Sequence, residues 1–350
     1  MIKYAQGNIL QAEAEALVNT VNCVGVMGKG IALQFKKAFP DNNATYEKAC
    51  RYDQLQPGKL LIFPTGSMVN PKYIINFPTK RHWKGKSHYE YIETGLKALV
   101  DEVRLQGIHS VAIPPLGCGL GGLDWNRVRL MIEKAFSSVS DVNILLYEPK
   151  GSPQAKDMPV HTSRPHLTVP RALFIKLMQQ YCRLAYRLTL LEIQKLAYFL
   201  QESGQPLRLK YIKHIYGPYA HNLNKVLEIM EGHFTRGYGD TQKPDVEITL
   251  LDGAPQEAEA FLAEYQTEKQ RLERVENLVD GFETPYGMEL LSSVHWLVVH
   301  DHIPPTDEAV CQAMKQWNER KADLFRQDHI KVALKRLAES RWIEVDFKEN

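Results

Sequence analysis

Residues 18–35, VNTVNCVGVMGKGIALQF, decide how the first half of the chain is read. Apolar Ala16, Leu17 and Val18 enter the segment as a buried strand, Asn19 and Asn22 open a polar turn, and Gly25, Gly28 and Gly30 punctuate a loop that leads into a helix starting near Gly30. Glycine reaches backbone conformations closed to other residues. A helix N-terminus behind such a loop offers unpaired N–H groups and the positive end of a dipole, which suits a diphosphate. The pattern recurs: apolar Val111, Ala112 and Ile113 precede Gly117, Cys118, Gly119, Leu120, Gly121 and Gly122, and helical periodicity follows over residues 124–139. Two strand–glycine loop–helix units point to one phosphate-rich ligand held from two sides. No GxGxxG directly follows the first strand. Met27-Gly28-Lys29-Gly30 also lacks the upstream glycine and the Ser/Thr of a P-loop.

Around these loops the first half alternates strands and helices. Residues 2–6 form an opening strand, the helix from Gly30 stops before Pro40, and short strands follow at 60–63 and 73–77. A helix runs from Tyr89 to about Leu105 with Tyr89, Ile92, Leu96, Leu99 and Val103 on one face, and a last strand lies at 144–147. Alternation of this kind predicts an α/β domain with a mostly parallel sheet covered on both faces.

The composition fits two domains in 350 residues, 44% of them hydrophobic. No run approaches a membrane span and no secretory signal is visible. Five cysteines without a CxxC argue against a disulfide scaffold or a zinc site, so we expect no metal and place the protein in a reducing cytoplasm. The net charge of +2 conceals an uneven division, with 18 Lys/Arg against 13 Asp/Glu in residues 1–150 and 25 against 28 thereafter. The proline-rich stretch 148–170 reads as a linker, which divides the chain into residues 1–150, a linker at 151–170, and residues 171–350. The last part is expected to be mainly helical, with segments at 172–186, 190–201 (opened by a capping box from Thr189 to Glu192), 222–230, 257–278, 290–300, 307–318 and 330–339, and a short strand at 342–347.

The first 150 residues resemble a macrodomain, the three-layer α/β/α module that binds ADP-ribose. The resemblance rests on Gly7-Asn8-Ile9, on the 18–35 segment, and on IPPLGCGLGGLDW at 113–125. The whole chain is similar to the DNA ADP-ribosyl glycohydrolase antitoxins of the DarTG family. Their partner, a DarT-like DNA ADP-ribosyltransferase toxin, attaches ADP-ribose to thymidine in single-stranded DNA. The resemblance implies that Asn8 and Ile9 hold the adenine, with Asn8 standing where many macrodomains carry aspartate. It implies that Gly28, Lys29, Gly30 and Ile31 and the run from Pro115 and Leu116 through Gly117, Cys118, Gly119, Leu120, Gly121 and Gly122 wrap the diphosphate and distal ribose, with Asn19 and Thr79 also lining the substrate. No cofactor is implied, ADP-ribose being part of the substrate and then the product.

Lys80, in Pro78-Thr79-Lys80-Arg81-His82-Trp83, is by the same resemblance the catalytic lysine; Asn22, able to hydrogen-bond the distal ribose hydroxyls or the thymine edge, is the second catalytic candidate, with an Asx turn as the alternative. An amine suits attack or charge assistance at an anomeric carbon. Desolvation or a cationic neighbour, for which Arg81 and Lys84 are candidates, would lower its pKa. A lysine-using human relative carries an aspartate where this chain has Gly121, and Asp124 is better placed to cap the following helix. The basic and aromatic residues 80–91 suit a DNA strand. In the second half, Leu190–Phe199 and Lys213–Ala220 resemble the Panacea domain of SocA-like antitoxins, so we expect toxin binding there and no catalysis. Residues 252–283, with nine acids against three bases, are either a solvated face or a surface for the toxin's DNA groove. A non-catalytic ADP-ribose reader and a glycohydrolase acting on ADP-ribosylated protein remain alternatives.

Overall fold

A computed structural model describes residues 1–139, 141–149, 158–184, 187–239 and 246–344. The chain separates into two compact units: the first comprises Met1–Arg164 with Gly239, and the second begins at Pro165.

In the first unit, strands β1 (Ile2–Ala5), β2 (Ala16–Val21), β3 (Leu61–Pro64), β4 (Tyr73–Pro78), β5 (Ser110–Ile113) and β6 (Asn143–Tyr147) form one sheet in the order β1-β6-β5-β2-β4-β3. All neighbours are parallel except β3, which lies antiparallel on the β4 edge. The central strands are almost wholly buried, as a sheet covered on both faces requires. Helices α1 (Gly30–Ala38), α2 (Pro40–Arg51), α3 (Tyr89–Leu105) and α4 (Trp125–Phe136) supply the layers. On one face Val18, Ile75, Phe77, Val111 and Ile113 pack with Leu96, Leu99, Val128 and Ile132; on the other, Leu17, Ile74 and Ala112 pack with Phe35 and Ala38. Gly95 lets α3 lie against β4, since a Cβ there would collide with the Phe77 ring.

Helix α1 ends at Ala38, as expected before Pro40, and Pro40 then opens α2, which was not expected, because proline at a first helical position forfeits only an N–H that has no helical partner. Asp124 caps α4, its carboxylate accepting from the Arg127 N–H at 3.0 Å.

The second unit is mainly helical: α5 (Val169–Tyr181), α6 (Leu190–Glu202), α7 (Leu223–Met230), α8 (Ala254–Phe261), α9 (Gln266–Val279), α10 (Pro285–Val299), α11 (Asp307–Trp317), α12 (Glu319–Leu324) and α13 (Gln327–Glu339). The Thr189–Glu192 capping box is present. The segment expected as one helix over 257–278 is two, α8 and α9, and that expected over 307–318 ends as α11, with Asn318 capping the separate α12. Two elements escaped sequence reading, the antiparallel hairpin β7 (Tyr211–His214) with β8 (Gly217–Ala220) and the short pair β9 (Thr235–Arg236) with β10 (Thr249–Leu250). Of the strand expected at 342–347, residues 342–344 are not in a strand, and the remainder lies outside the described residues; so do residues 185 and 186 of the helix expected at 172–186. No helix among the described residues is long and apolar enough to cross a membrane.

Candidate active site

Parallel pairing of β2 with β4 sets the site. The two strands run in register from Ala16 against Tyr73 to Val21 against Pro78. Pairing continues past both ends, since Thr79 N–H donates to Val21 O and Cys23 N–H to Arg81 O, each at 3.0 Å. The first glycine loop and the Lys80 segment therefore leave the sheet side by side. The second glycine loop leaves β5, the other neighbour of β2. Carboxyl ends of adjacent parallel strands are where open α/β sheets bind ligands.

Asn22 builds the first loop. Its Oδ1 accepts from Val24 N–H at 3.0 Å, from Val26 N–H at 3.4 Å and from Tyr46 O–H at 3.1 Å, while its Nδ2 donates to Val26 O at 2.6 Å. Tyr46 O–H also reaches Asn22 O at 2.8 Å. The amide is thus committed to the loop's own backbone, as in an Asx turn. Asn19 is fully buried below it and faces inward; its Nδ2 donates to Asn76 Oδ1 at 3.0 Å and meets Met27 Sδ at 3.7 Å. Asn76 in turn exchanges amide hydrogen bonds with Asn42. Asn19 supports the loop from beneath through Met27.

Of the loop glycines, Gly30 requires its left-handed backbone (φ +60) to enter α1, whereas Gly28 has an ordinary φ. Lys29 occupies the N-cap of α1 and its ammonium is lowered in pKa by burial. The Gly30 N–H meets Gly239 O at 3.0 Å, while the Gly28 and Ile31 N–H groups make no hydrogen bond among the described residues. Asn8 caps a turn of 3-10 helix by accepting from Leu10 N–H, and Ile9 is buried in the core cluster that holds Leu17, Phe35, Ala112 and Tyr147.

The second loop is closed by Cys118 N–H to Pro115 O, Gly122 N–H to Gly119 O and Leu123 N–H to Gly117 O, at 3.1 Å each. The N–H groups of Gly119, Leu120 and Gly121 make no hydrogen bond among the described residues, which leaves three consecutive donors able to meet an acceptor. Leu116 is buried, and the Cys118 thiol is pushed up to about 12 by burial, which leaves it inert.

Lys80 joins the two loops. It is 9% exposed, and its Nζ lies 3.4 Å from each of three carbonyl oxygens, those of Trp83, Gly85 and Leu120. Its pKa is lowered by burial alone. The expected cationic neighbours do not contribute: Arg81 lies over the Tyr91 ring at 5.8 Å and Lys84 over Trp83 at 5.0 Å. Residues 81–86 are all exposed, with Trp83 stacked on His82. At position 121 no side chain fits, because a Cβ would collide with Ser87 Oγ and Gly117 O. An acid there is excluded by packing. Sequence reading missed Tyr46, Asn76 and Ser87; of these, only the polar Asn76 inside an apolar strand carried a signal.

If the Asn22 amide holds the first loop in shape, Asn22→Ala should weaken ADP-ribose binding about tenfold or more, because two loop N–H groups and a tyrosine lose an acceptor. Calorimetric titration with ADP-ribose checks this. Unchanged affinity with slowed turnover would move Asn22 from loop building to the chemistry.

An α/β/α sandwich with two glycine loops at the carboxyl edge of its sheet is a macrodomain, and the Macro domain family model matches residues 18–132. The chain belongs to the DNA ADP-ribosyl glycohydrolase family. It is 46% identical, over 95% of its length and 92% of the relative's, to the DNA ADP-ribosyl glycohydrolase of Thermus aquaticus. It is 32% identical to a DNA ADP-ribosyl transferase–DNA ADP-ribosyl glycohydrolase fusion protein of Thermosipho africanus, over 42% of each chain. Among solved structures, the macrodomain of Thermus aquaticus DarG matches 43% of this chain and 99% of its own, at 50% identity and a TM-score of 0.42.

Proposed function

We propose that the first unit hydrolyses the N-glycosidic bond between ADP-ribose and thymidine in single-stranded DNA, and that the second unit binds the DarT-like toxin that makes this modification. Water adds across the bond: the anomeric carbon of the distal ribose gains a hydroxyl, the thymine nitrogen gains a proton, and free ADP-ribose leaves. The observation that carries this reading is the burial of Lys80 Nζ within 3.4 Å of Leu120 O in the second glycine loop, on a segment whose backbone pairs with the start of the first, Cys23 N–H donating to Arg81 O. A ligand cradled by both loops places its distal ribose beside that amine. The exposed basic and aromatic residues Arg81, Trp83, Lys84 and Lys86 give an emerging DNA strand phosphate and stacking partners.

For the second unit, the support is the fusion of transferase and glycohydrolase in the Thermosipho relative and the exposed acids Asp252, Glu257, Glu264, Glu273 and Asp280 on and around α8 and α9. Such a surface complements a toxin groove that binds DNA.

The test is an oligonucleotide carrying one ADP-ribosylated thymidine, incubated with the chain, with masses followed in time. Restoration of the unmodified mass is expected. If ADP-ribose binds but the oligonucleotide keeps its modification, the unit is a reader; if only a modified protein is cleared, the substrate assignment is wrong. A toxin whose groove lysines are neutralised should bind the second unit more weakly, and undiminished binding would remove the acidic surface from the reading.

A further inference from the structure

Ser87 is buried, and its hydroxyl has no hydrogen-bond partner among the described residues. An unpaired buried hydroxyl is unfavourable in a folded protein and calls for an explanation. Its position supplies one. The Ser87 N–H donates to Gly121 O at 3.0 Å, and Lys80 Nζ approaches the preceding carbonyl, Leu120 O. The two ends of segment 80–87 therefore grip neighbouring peptides of the second glycine loop.

The side chain itself points into that loop. A Cβ on Gly121 would collide with Ser87 Oγ, and one on Gly117 would come within 3.0 Å of Ser87 Cβ and 3.1 Å of its Oγ. The hydroxyl thus fills the volume that a side chain at 121 would take, in the loop whose Gly119, Leu120 and Gly121 N–H groups make no hydrogen bond among the described residues. Hydroxyl and N–H groups alike are donors in search of an acceptor, and an oxygen-rich anion supplies several at once.

We propose that Ser87 is a further substrate-positioning residue: when the second glycine loop closes on ADP-ribose, the Ser87 hydroxyl donates to an oxygen of that moiety alongside the loop N–H groups. This rests on the reading that the glycine loops hold ADP-ribose, though not on hydrolysis. It also gives position 121 a reason to be glycine beyond backbone freedom, because the polar group of this loop is delivered from position 87.

The test is Ser87→Ala in the full chain, which removes one atom and adds none. Without ligand, the melting temperature is expected to stay within about 2 °C of the parent or to rise, because an unpaired hydroxyl has gone. ADP-ribose binding, by calorimetry, is expected to weaken about 5- to 30-fold, the value of one hydrogen bond to a charged or polyhydroxyl ligand. ADP serves as the second probe: an equal loss places the contact on the diphosphate, and a loss confined to ADP-ribose places it on the distal ribose. Parental affinity for ADP-ribose overturns the proposal, as does a fall of about 5 °C or more in the unliganded protein, which would make Ser87 a structural residue. If the parent chain binds neither probe, the site reading itself has failed; if it binds both yet releases no ADP-ribose from DNA, only the hydrolase reading has failed.

Discussion

Replacing Lys80 with alanine should slow release of ADP-ribose from modified DNA by about a thousandfold or more, the scale of losing a nucleophile or general acid–base group, while ADP-ribose still binds. Three features carry this expectation. The amine lies against the second glycine loop at Leu120 O, it is nearly buried, and its contacts are carbonyl oxygens with no carboxylate among them. Burial without a counter-charge favours the neutral amine, so its pKa lies below that of an ordinary lysine. If the neutral amine attacks the anomeric carbon, the rate rises with pH as the ammonium loses its proton, and the midpoint falls below the ordinary lysine value of about 10.4. If the ammonium instead stabilises the departing base, the rate falls over the same range. We expect the rise. Lys80→Arg keeps a charge that cannot be removed in this range, and under the amine mechanism it should be as slow as the alanine variant. Single-turnover rates from pH 6 to 10, with ADP-ribose affinity measured beside them, decide the matter.

Much of this site was legible in the chain because glycines report a local requirement. The two loops, their strands and their helices follow from punctuation and period, whereas Asn22, expected to take part in catalysis, has its amide bonded to the backbone of its own loop. What was not legible depends on closure in three dimensions. Ser87 lies in a polar, basic stretch with nothing to mark it; only the approach of the 80–87 segment to β5's loop buries it. Tyr46 sits on α2, which the same proline opens just after it ends α1, and Pro40–Arg51 has too polar a composition to show a helical period. Arg81 and Lys84 are close to Lys80 in sequence, yet each turns to an aromatic ring on the surface, and adjacency in the chain said nothing of that. In the second unit, the break between α8 and α9 falls at residues 262–265, where acids and apolar residues still alternate at helical spacing. The β7–β8 hairpin, with a proline in one strand, lacks the alternation by which strands are recognised.

Glu289→Ala should destabilise the second unit by about 3–5 kcal/mol, the scale for breaking one side of a buried ion pair. Glu289, on α10, is 2% exposed. Its Oε1 accepts from Arg320 Nη1 at 2.6 Å and from Lys321 Nζ at 2.7 Å, and its Oε2 accepts from Arg320 Nη2 at 3.1 Å. Lys321 has no exposed surface and is further held by Ser293 Oγ at 2.9 Å. Lys195, on α6, donates to Pro218 O at 2.6 Å, and Gly217 leaves room for it, since a Cβ there would come within 3.3 Å of Lys195 Nζ. One carboxylate therefore serves a cluster that pins α6, α10, α12 and the β7–β8 hairpin together. Burial brings Lys195 down to about 7 and Lys321 to about 8. In the unfolded chain both return to about 10.4, so between pH 7 and 10 the unfolded state binds more protons, and stability rises with pH across that window. Below pH 7 both amines are charged in either state and the burial cost is felt in full. Removing Glu289 deletes the charge that favours the protonated forms and lowers both folded-state pKa values further, so the variant's deficit against the parent should be largest below pH 7 and shrink as pH rises toward 9. Hydrogen exchange reads the two units separately: amides of α6 and α10 should exchange faster in the variant, while those of β2 and β5 keep their protection. Unchanged protection in α10 would mean that apolar packing alone holds the second unit, with the buried charges adding nothing to it.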